Sequence, residues 1–421
     1  MADEIALTVQ TNKTAFPLTE GPQLAYVLFT AQPADALAAV QMLLNFSLVL
    51  DHSGSMSGAK IENLKAAACL AVDEMTPEDR LAVVVFDDTV QVVAPAQPVA
   101  DPAAIKARID KIRAGGGTKI SQGMRAGLEE LAHGVRADRV SRMLLLTDGE
   151  TYGDEDECRQ LAATAGRQGI AITALGLGEG WNETLLDALA QASGGVSDFI
   201  PEGQPETVLK TFREQVRGAQ RTVVQNAVLL LRLAQGVTPR AVWRVIPLIS
   251  LLGQRALSER DVQVTLGDLE RGQGQSVLVE LLIPPVPAGA YRLAQAEIAY
   301  DVAALGVRNE KVRADVVLTF SADPAQTAAS DATVLNIVEK VTAHKLQTQA
   351  LDEAAAGNVA GATRKLRAAA TRLLDLGEPE LAAVAREEAE RLEQGQGLST
   401  PGTKKLRYET RKLTRKLDAE S

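Results

Sequence analysis

The chain has 421 residues, 23% charged and 46% hydrophobic, with 33 Gly and 17 Pro. That length suits two or three domains with full-sized cores, and the Gly and Pro content excludes a collagenous or low-complexity chain. A net charge of −10 argues against broad nucleic-acid binding, and no run of 18 apolar residues is present to span a bilayer as a helix. Aromatics are only 3%, so the core must be built from Ala, Val, Leu and Ile. The acidic start Met1-Ala2-Asp3-Glu4 lacks the basic and apolar regions of a secretory signal. Cys69 and Cys158 are the only cysteines, which excludes a disulfide scaffold and makes a reducing compartment, the cytoplasm, the expectation.

Residues 1–44 contain two extended runs, Ile5–Thr11 and Gln23–Ala31. From 45 to 220, strand-like and helix-like segments alternate. Asn45–Leu50 is a short apolar run, read as a buried parallel strand. A helix follows over 59–75, with Ile61, Leu64, Ala68, Val72 and Met75 on one face. Leu81–Phe86 is a second buried strand and Val90–Val93 a short third. Helices near 102–113 and 120–132 precede the strand Met143–Thr147. A helix near 155–167, the strand Ile170–Leu175, a helix near 183–192, a strand near 196–200 and a helix near 205–217 complete the pattern. Such alternation predicts a doubly wound α/β domain, a parallel sheet with helices on both faces.

After 221 the period changes. Val223–Leu233, Ala241–Ile246, Val262–Leu266, Ser276–Ile283, Tyr291–Tyr300 and Lys311–Phe320 are extended runs between turn residues, the pattern of a β-sandwich over 221–322. The strands of 1–44 are expected to join it, so that the α/β domain is inserted into a β domain. Residues 323–398 are helical and Ala-rich, with turns at Gly357-Asn358 and Gly377-Glu378-Pro379. Three helices are expected there, and no fixed period supports a solenoid. Residues 399–421 read as a linker and basic tail. Within the tail, 404–416 hold seven Lys/Arg against Glu409, a net +6 that leaves −16 for the rest. Leu406, Thr410, Leu413 and Leu417 share a helical stripe, so weak, salt-sensitive docking on an acidic protein surface is expected, either in cis as a helix laid on the body or in trans as an arm recruiting an acidic partner.

The chemistry concentrates at strand ends. Asn45–Leu50 runs into Asp51-His52-Ser53-Gly54-Ser55-Met56, and Met143–Thr147 into Asp148-Gly149-Glu150. Open α/β sheets bind ligands outside the carboxyl ends of their strands, at a switch point. Between them in sequence, Gly115-Gly116-Gly117-Thr118 supplies a middle loop ending in a hydroxyl. Asp51, Asp148, Ser53, Ser55 and Thr118 together offer two carboxylates and three hydroxyls. All are oxygen donors, suited to Mg²⁺, Mn²⁺ or Ca²⁺ and not to zinc. The two aspartates offset the ion's charge, and the neutral hydroxyls leave it a Lewis acid open to an outside anion.

At these residues the chain resembles von Willebrand factor type A domains and their metal-ion-dependent adhesion site, Asp51-x-Ser53-x-Ser55 with Thr118 and Asp148. Val49–Lys60, Arg113–Thr118, Leu145–Gly149 and Gly176–Leu186 are similar to a bacterial branch. That branch is described as similar to calcium-activated chloride channels or inter-α-trypsin-inhibitor heavy chains, and neither description implies transport. The resemblance implies a non-enzymatic interaction module or scaffold binding one divalent cation, Mg²⁺ first. Ser53, Ser55 and Thr118 would touch the metal, with one or both aspartates acting directly or through water. A partner protein would fill the last position with an Asp or Glu carboxylate. His52 stands where such motifs often carry Thr, Arg or another polar residue, and Glu150 and Asp154 add negative charge near the third loop.

Other motifs are weaker. Gly176-x-Gly178-x-Gly180 falls short of a dinucleotide fingerprint, and Gly115–Lys119 lacks phosphate-loop spacing. A metal-dependent phosphate-ester hydrolase is the alternative at the same loops, but Ser53 stands where such sites need a second acid. A scaffold with a purely stabilising metal site is the other. His52, His133 and His344 lie apart from one another and from the cysteines, against a zinc site. Asp87-Asp88, at a strand end, reads as a solvated turn ahead of the alternative, acids that support the metal ligands from behind.

Overall fold

The computed structural model describes residues 4–136 and 138–415. Met1–Asp3 of the acidic start, and Lys416 and Leu417 of the tail, lie outside the described residues. The chain divides into two compact units. One comprises Ala39–Val223 with Ala303–Gly306, and the other Met1–Ala38, Val224–Val302 and Val307–Ser421.

The chain opens with β1 (Ile5–Thr11), β2 (Ala15–Pro17) and β3 (Gln23–Pro33), then enters the α/β unit. There β4 (Leu43–Asp51), α1 (Ala59–Asp73), β5 (Arg80–Phe86), β6 (Val90–Pro98), α2 (Pro102–Ile109), α3 (Ile120–Ala132) and β7 (Arg139–Thr147) follow in order. Then come α4 (Glu155–Arg167), β8 (Ala171–Leu177), α5 (Glu183–Ser193), β9 (Ser197–Ile200) and α6 (Pro205–Gln220). The sheet order is β6-β5-β4-β7-β8-β9. Burial on both faces explains why β4, β5, β7 and β8 are near-continuous apolar runs. Leu48, Leu50, Val83, Val85, Leu144 and Leu146 share one core with Leu64, Ala68 and Val72 of α1 and Val208 and Phe212 of α6.

The sheet is mixed rather than wholly parallel. β6 pairs antiparallel with β5, because Asp87–Thr89 is a hairpin connection and too short for a crossover. The register decides where the chemistry sits. Leu50 of β4 faces Leu146 of β7, which sets Asp51 at the level of Thr147 and Asp148 one residue beyond it. The chain leaves β4 for β5 on one side and returns to β7 on the other, so the switch point lies at these two strand ends.

The second unit holds β10 (Thr222–Leu233), β11 (Thr238–Ile246), β12 (Ser250–Leu251), β13 (Gln254–Ala256), β14 (Asp261–Glu270), β15 (Gln275–Ile283), β16 (Gly289–Val302) and β17 (Val307–Ser321). Two sheets form, β1-β3-β15-β11-β12 and β13-β14-β10-β16-β17-β2. β3 pairs antiparallel with β15, and β2 parallel with β17. The strands before and after the α/β unit therefore share sheets, and the α/β unit is an insertion.

Helices α7 (Pro324–Thr327), α8 (Ala332–Ala355), α9 (Val359–Asp375), α10 (Pro379–Glu393) and α11 (Thr400–Glu409) complete the chain. Side chains cap the starts of α8, α9 and α11: Asp331 accepts from Val334 N–H (3.0 Å), Asn358 from Gly361 N–H (3.1 Å) and Ser399 from Gly402 N–H (3.0 Å). Leu28, Trp243, Val245 and Leu278 of the sandwich share a core with Val334, Ile337, Val341, Leu366, Leu406 and Leu413.

That core shows the chain end packed in cis as a helix and corrects what seats it. Residues 400–409 form a fourth long helix, and Leu406, Tyr408 and Leu413 are buried. Ile249 N–H donates to Arg411 C=O (2.9 Å) and the Thr414 hydroxyl to Val245 C=O. The basic side chains suggested electrostatic docking, but the apolar stripe between them is what packs.

His344 lies inside this region, its Nδ1 2.9 Å from the Thr410 hydroxyl and its ring edge-on to Trp243. Burial first, then the charges of Arg411 and Arg407, push its pKa down to about 3. The unfolded chain therefore binds a proton that the folded chain refuses between about pH 6.5 and about 3. Stability from this group is full above the unfolded value and falls as pH drops, by at most about 1.4 kcal/mol per pH unit. His344→Gln should flatten the acid limb of the melting profile, and an unchanged profile would remove His344 as its source.

Candidate functional site

Three loops meet at the switch point. Asp51 ends β4 with no exposed surface. Its Oδ1 accepts from Ser53 N–H (2.8 Å) and its Oδ2 from the Thr147 hydroxyl (2.5 Å). The chain then folds back through a short 3₁₀ turn, Gly54–Met56, whose buried Met56 anchors it. Ser53 and Ser55 thereby point the same way, their Oγ atoms 3.0 Å apart. The Ser55 hydroxyl donates to Asp148 Oδ1 (2.6 Å), and Lys60 Nζ to Asp148 Oδ2 (2.7 Å).

Backbone bonds tie the middle loop to the first. Gly54 N–H donates to Gly116 C=O (3.0 Å) and Gly115 N–H to His52 C=O (2.8 Å). Thr118 lies against the third loop: a Cβ added at Gly149 would meet its Oγ1 at 3.3 Å. The glycines of the middle loop are required by close approach. Gly116, at φ +75°, faces the Asp87 carboxylate, where a Cβ would come within 2.5 Å, and a Cβ on Gly117 would strike Asp88. Gly117 N–H donates to Asp88 Oδ2 (2.8 Å) and Lys119 N–H to Asp87 C=O (2.9 Å). Asp87 and Asp88 thus hold the middle loop in place and are more than a solvated turn.

Burial raises the Asp51 pKa, against the hydrogen bonds from Thr147 and Ser53, and the nearby Asp148 charge adds to the rise. Its ionised form therefore gains from a neighbouring positive charge. Lys60 is pulled down by burial, but its bond to Asp148 and the charges of Asp148 and Glu202 outweigh that and raise its pKa.

The structure thus gathers Asp51, Ser53, Ser55 and Asp148 into one hydrogen-bonded run, with Thr118 across from Asp148's loop. The donors are all oxygen, and among the described residues no three of His, Cys, Asp and Glu converge on one point. That set fits a hard divalent cation. His52 turns away, its Nδ1 2.8 Å from Arg113 C=O and its Nε2 3.7 Å from Asp87. Asp154 is buried and does not add charge at the mouth. Its Oδ2 accepts from Ser121 N–H (2.9 Å) at the start of α3, and Thr151 donates to its other oxygen. Exposed Glu150 pairs instead with the Tyr152 hydroxyl (3.2 Å). Trp181 packs locally, its indole N–H on Gly178 C=O (2.7 Å). Cys158 is an inert core thiol whose pKa burial, with Asp154 and Glu155, pushes up to about 12.

Two participants escape a motif reading, Thr147 and Lys60. Thr147 is signalled only by its place as the last strand residue before Asp148. Lys60 is signalled by a cation in the first turn of a helix, where the helix dipole disfavours one.

Comparison with known proteins fits this geometry. Protein sll0103 of Synechocystis sp. is 33% identical over 371 residues, 86% of this chain and 86% of that protein. The chain belongs to the Sll0103-like family. Its residues 45–215 match the von Willebrand factor type A domain, and residues 332–416 match the Sll0103-like C-terminal alpha-helical domain. The latter match takes in α11, as the packing does. Human inter-alpha-trypsin inhibitor heavy chain H4 is 30% identical over 194 residues, 43% of this chain but only 21% of that protein. The solved structure of a von Willebrand factor type A protein from Catenulispora acidiphila superposes with a TM-score of 0.78 at 18% identity, covering 97% of both chains. The Sll0103-like chain shares that fold over 97% of its length. Von Willebrand factor type A domains are commonly metal-dependent protein-interaction modules. No helix of the described residues is long and apolar enough to cross a membrane.

Proposed function

We propose that this Sll0103-like protein is a non-enzymatic, cation-dependent protein-interaction module. Asp51, Ser53, Ser55, Thr118 and Asp148 hold one divalent cation, Mg²⁺ ahead of Mn²⁺ and Ca²⁺. When bound, it supplies a Lewis-acidic position for a carboxylate from a partner protein. The observation that carries this reading is the unbroken oxygen run at the switch point, Ser53 to Ser55 at 3.0 Å and Ser55 to Asp148 at 2.6 Å. Asp51 orients the run from behind, since its oxygens already accept from Ser53 N–H and Thr147. A hydrolase at these loops would need an acid or base beside Asp51, and position 53 carries a hydroxyl. We place the protein in the cytoplasm, where its free Cys69 and Cys158 stay reduced.

Capture experiments test the reading. Immobilised chain should retain its partner in Mg²⁺ and release it into EDTA, and an Asp148→Ala bait should retain none. Changing the responsible Asp or Glu of the partner to its amide should have the same effect. A partner held equally in EDTA and by Asp148→Ala would move the interface off these loops.

A further inference from the structure

Lys60 is the second residue of α1, a place where a cation opposes the helix dipole. Glu62 in the same turn pairs with Lys65 (2.9 Å), so it does not account for Lys60. The Lys60 ammonium instead reaches Asp148 Oδ2 at 2.7 Å, with Glu202 further off at 3.6 Å. The Asp148 side chain is fully buried and that of Lys60 is 22% exposed, whereas Glu202 is 63% exposed and screened by water. Asp148 is therefore divided. Oδ1 accepts from the Ser55 hydroxyl and Oδ2 from Lys60.

The charge arithmetic gives this division a consequence. Asp51 and Asp148 carry −2, and Lys60 brings the centre to −1. A divalent cation then leaves it at +1, whereas without Lys60 the loaded centre would be neutral. The same ammonium that repels the metal ion leaves a positive field for an incoming carboxylate. We infer that Lys60 is a built-in counter-ion that weakens the centre's hold on its cation and keeps the loaded centre attractive to a partner's carboxylate. It is a positioning and charge-setting residue, not a ligand. The inference rests on the cation-binding reading above.

The test uses the full chain with Mn²⁺ as the metal probe and acetate as the carboxylate probe. Calorimetry reads Mn²⁺ affinity, and water-proton relaxation reads displacement of Mn²⁺-bound water by acetate. Lys60→Met keeps the stem and removes the charge. It should tighten Mn²⁺ by roughly tenfold, the scale of one charge acting across a solvated mouth, and should require more acetate for the same displacement. Lys60→Arg should stay near wild type on both readouts, and melting in EDTA verifies that each variant folds. Equal Mn²⁺ affinity in wild type and Lys60→Met would overturn the inference and leave the cation site standing. Weaker binding by Lys60→Met would make Lys60 a mere support for Asp148, which also overturns it. If neither wild type nor Lys60→Met binds Mn²⁺, the cation-binding reading itself falls.

Discussion

Asp51→Asn should lower Mg²⁺ affinity by roughly a hundredfold, about 2.7 kcal/mol, while leaving the α/β unit folded. The amide is close to isosteric with the carboxylate. Its oxygen can still accept from Ser53 N–H, now at 2.8 Å, and its NH₂ can donate to Thr147. The Thr147 hydroxyl keeps an outlet for its own proton in Gly149 C=O, 3.3 Å away. What is lost is one of the two negative charges that balance a divalent ion. Asp51→Ala is the poorer variant, because Asp51 is wholly buried and its removal would leave Ser53 N–H without the acceptor it now has.

The same variant predicts a crossing of stabilities. The folded pKa of Asp51 is raised, so the folded chain binds its proton more tightly than the unfolded chain. In EDTA, wild-type stability should decline as pH rises from the ordinary carboxylate range through the folded value, and Asp51→Asn should lack that decline. At neutral pH in EDTA the variant should melt no lower than wild type. With Mg²⁺ at about a hundred times the dissociation constant, wild type alone should gain about 2.7 kcal/mol. Calorimetry showing equal Mg²⁺ affinity for the two proteins would remove Asp51 from the site.

The α/β unit and the convergence of loops at its switch point were legible because their signals are local. A buried parallel strand is a short apolar run, and Asp51 and Asp148 follow two such runs directly. The insertion was legible because extended segments on both sides of the α/β pattern needed partners. Other features depend on contacts between distant residues, which no local pattern carries. The antiparallel direction of β6 is the exception, since its short connection Asp87–Thr89 carries it locally. Asp154 looked like a charge at the mouth because it follows Glu150 by four residues, yet the α3 backbone claims it. Asp87 and Asp88 looked like a plain turn because the local pattern shows only the bonds from Thr89 to Asp87, whereas Gly117 N–H and Lys119 N–H, about thirty residues on, donate to Asp88 Oδ2 and Asp87 C=O. At the chain end the helical stripe was legible and the force that seats it was not. Charge dominates its composition, while its packing is decided by three apolar side chains.

That packing yields the other large effect. Leu406→Ala should destabilise the sandwich-helical unit by about 2–5 kcal/mol, the cost of a methylene-rich side chain deleted from a closed core. Leu406 has no exposed surface and shares its core with Trp243, Val341 and Leu366. Tyr408, 1% exposed with the Arg411 guanidinium 5.6 Å above its ring, should cost a similar amount when cut to Ala. Lys412→Gln removes a partly exposed pair with Glu409 at 3.0 Å and should cost less than about 1 kcal/mol. The separation between these classes should persist from low to high salt, because apolar burial is not screened as surface ion pairs are. Urea denaturation read by tryptophan fluorescence resolves the units, since Trp243 lies in the sandwich-helical core and Trp181 in the α/β unit. In a Trp181→Phe background the Trp243 transition should shift for Leu406→Ala and Tyr408→Ala and barely move for Lys412→Gln. A Leu406→Ala effect that vanished at high salt would return the chain end to electrostatic docking.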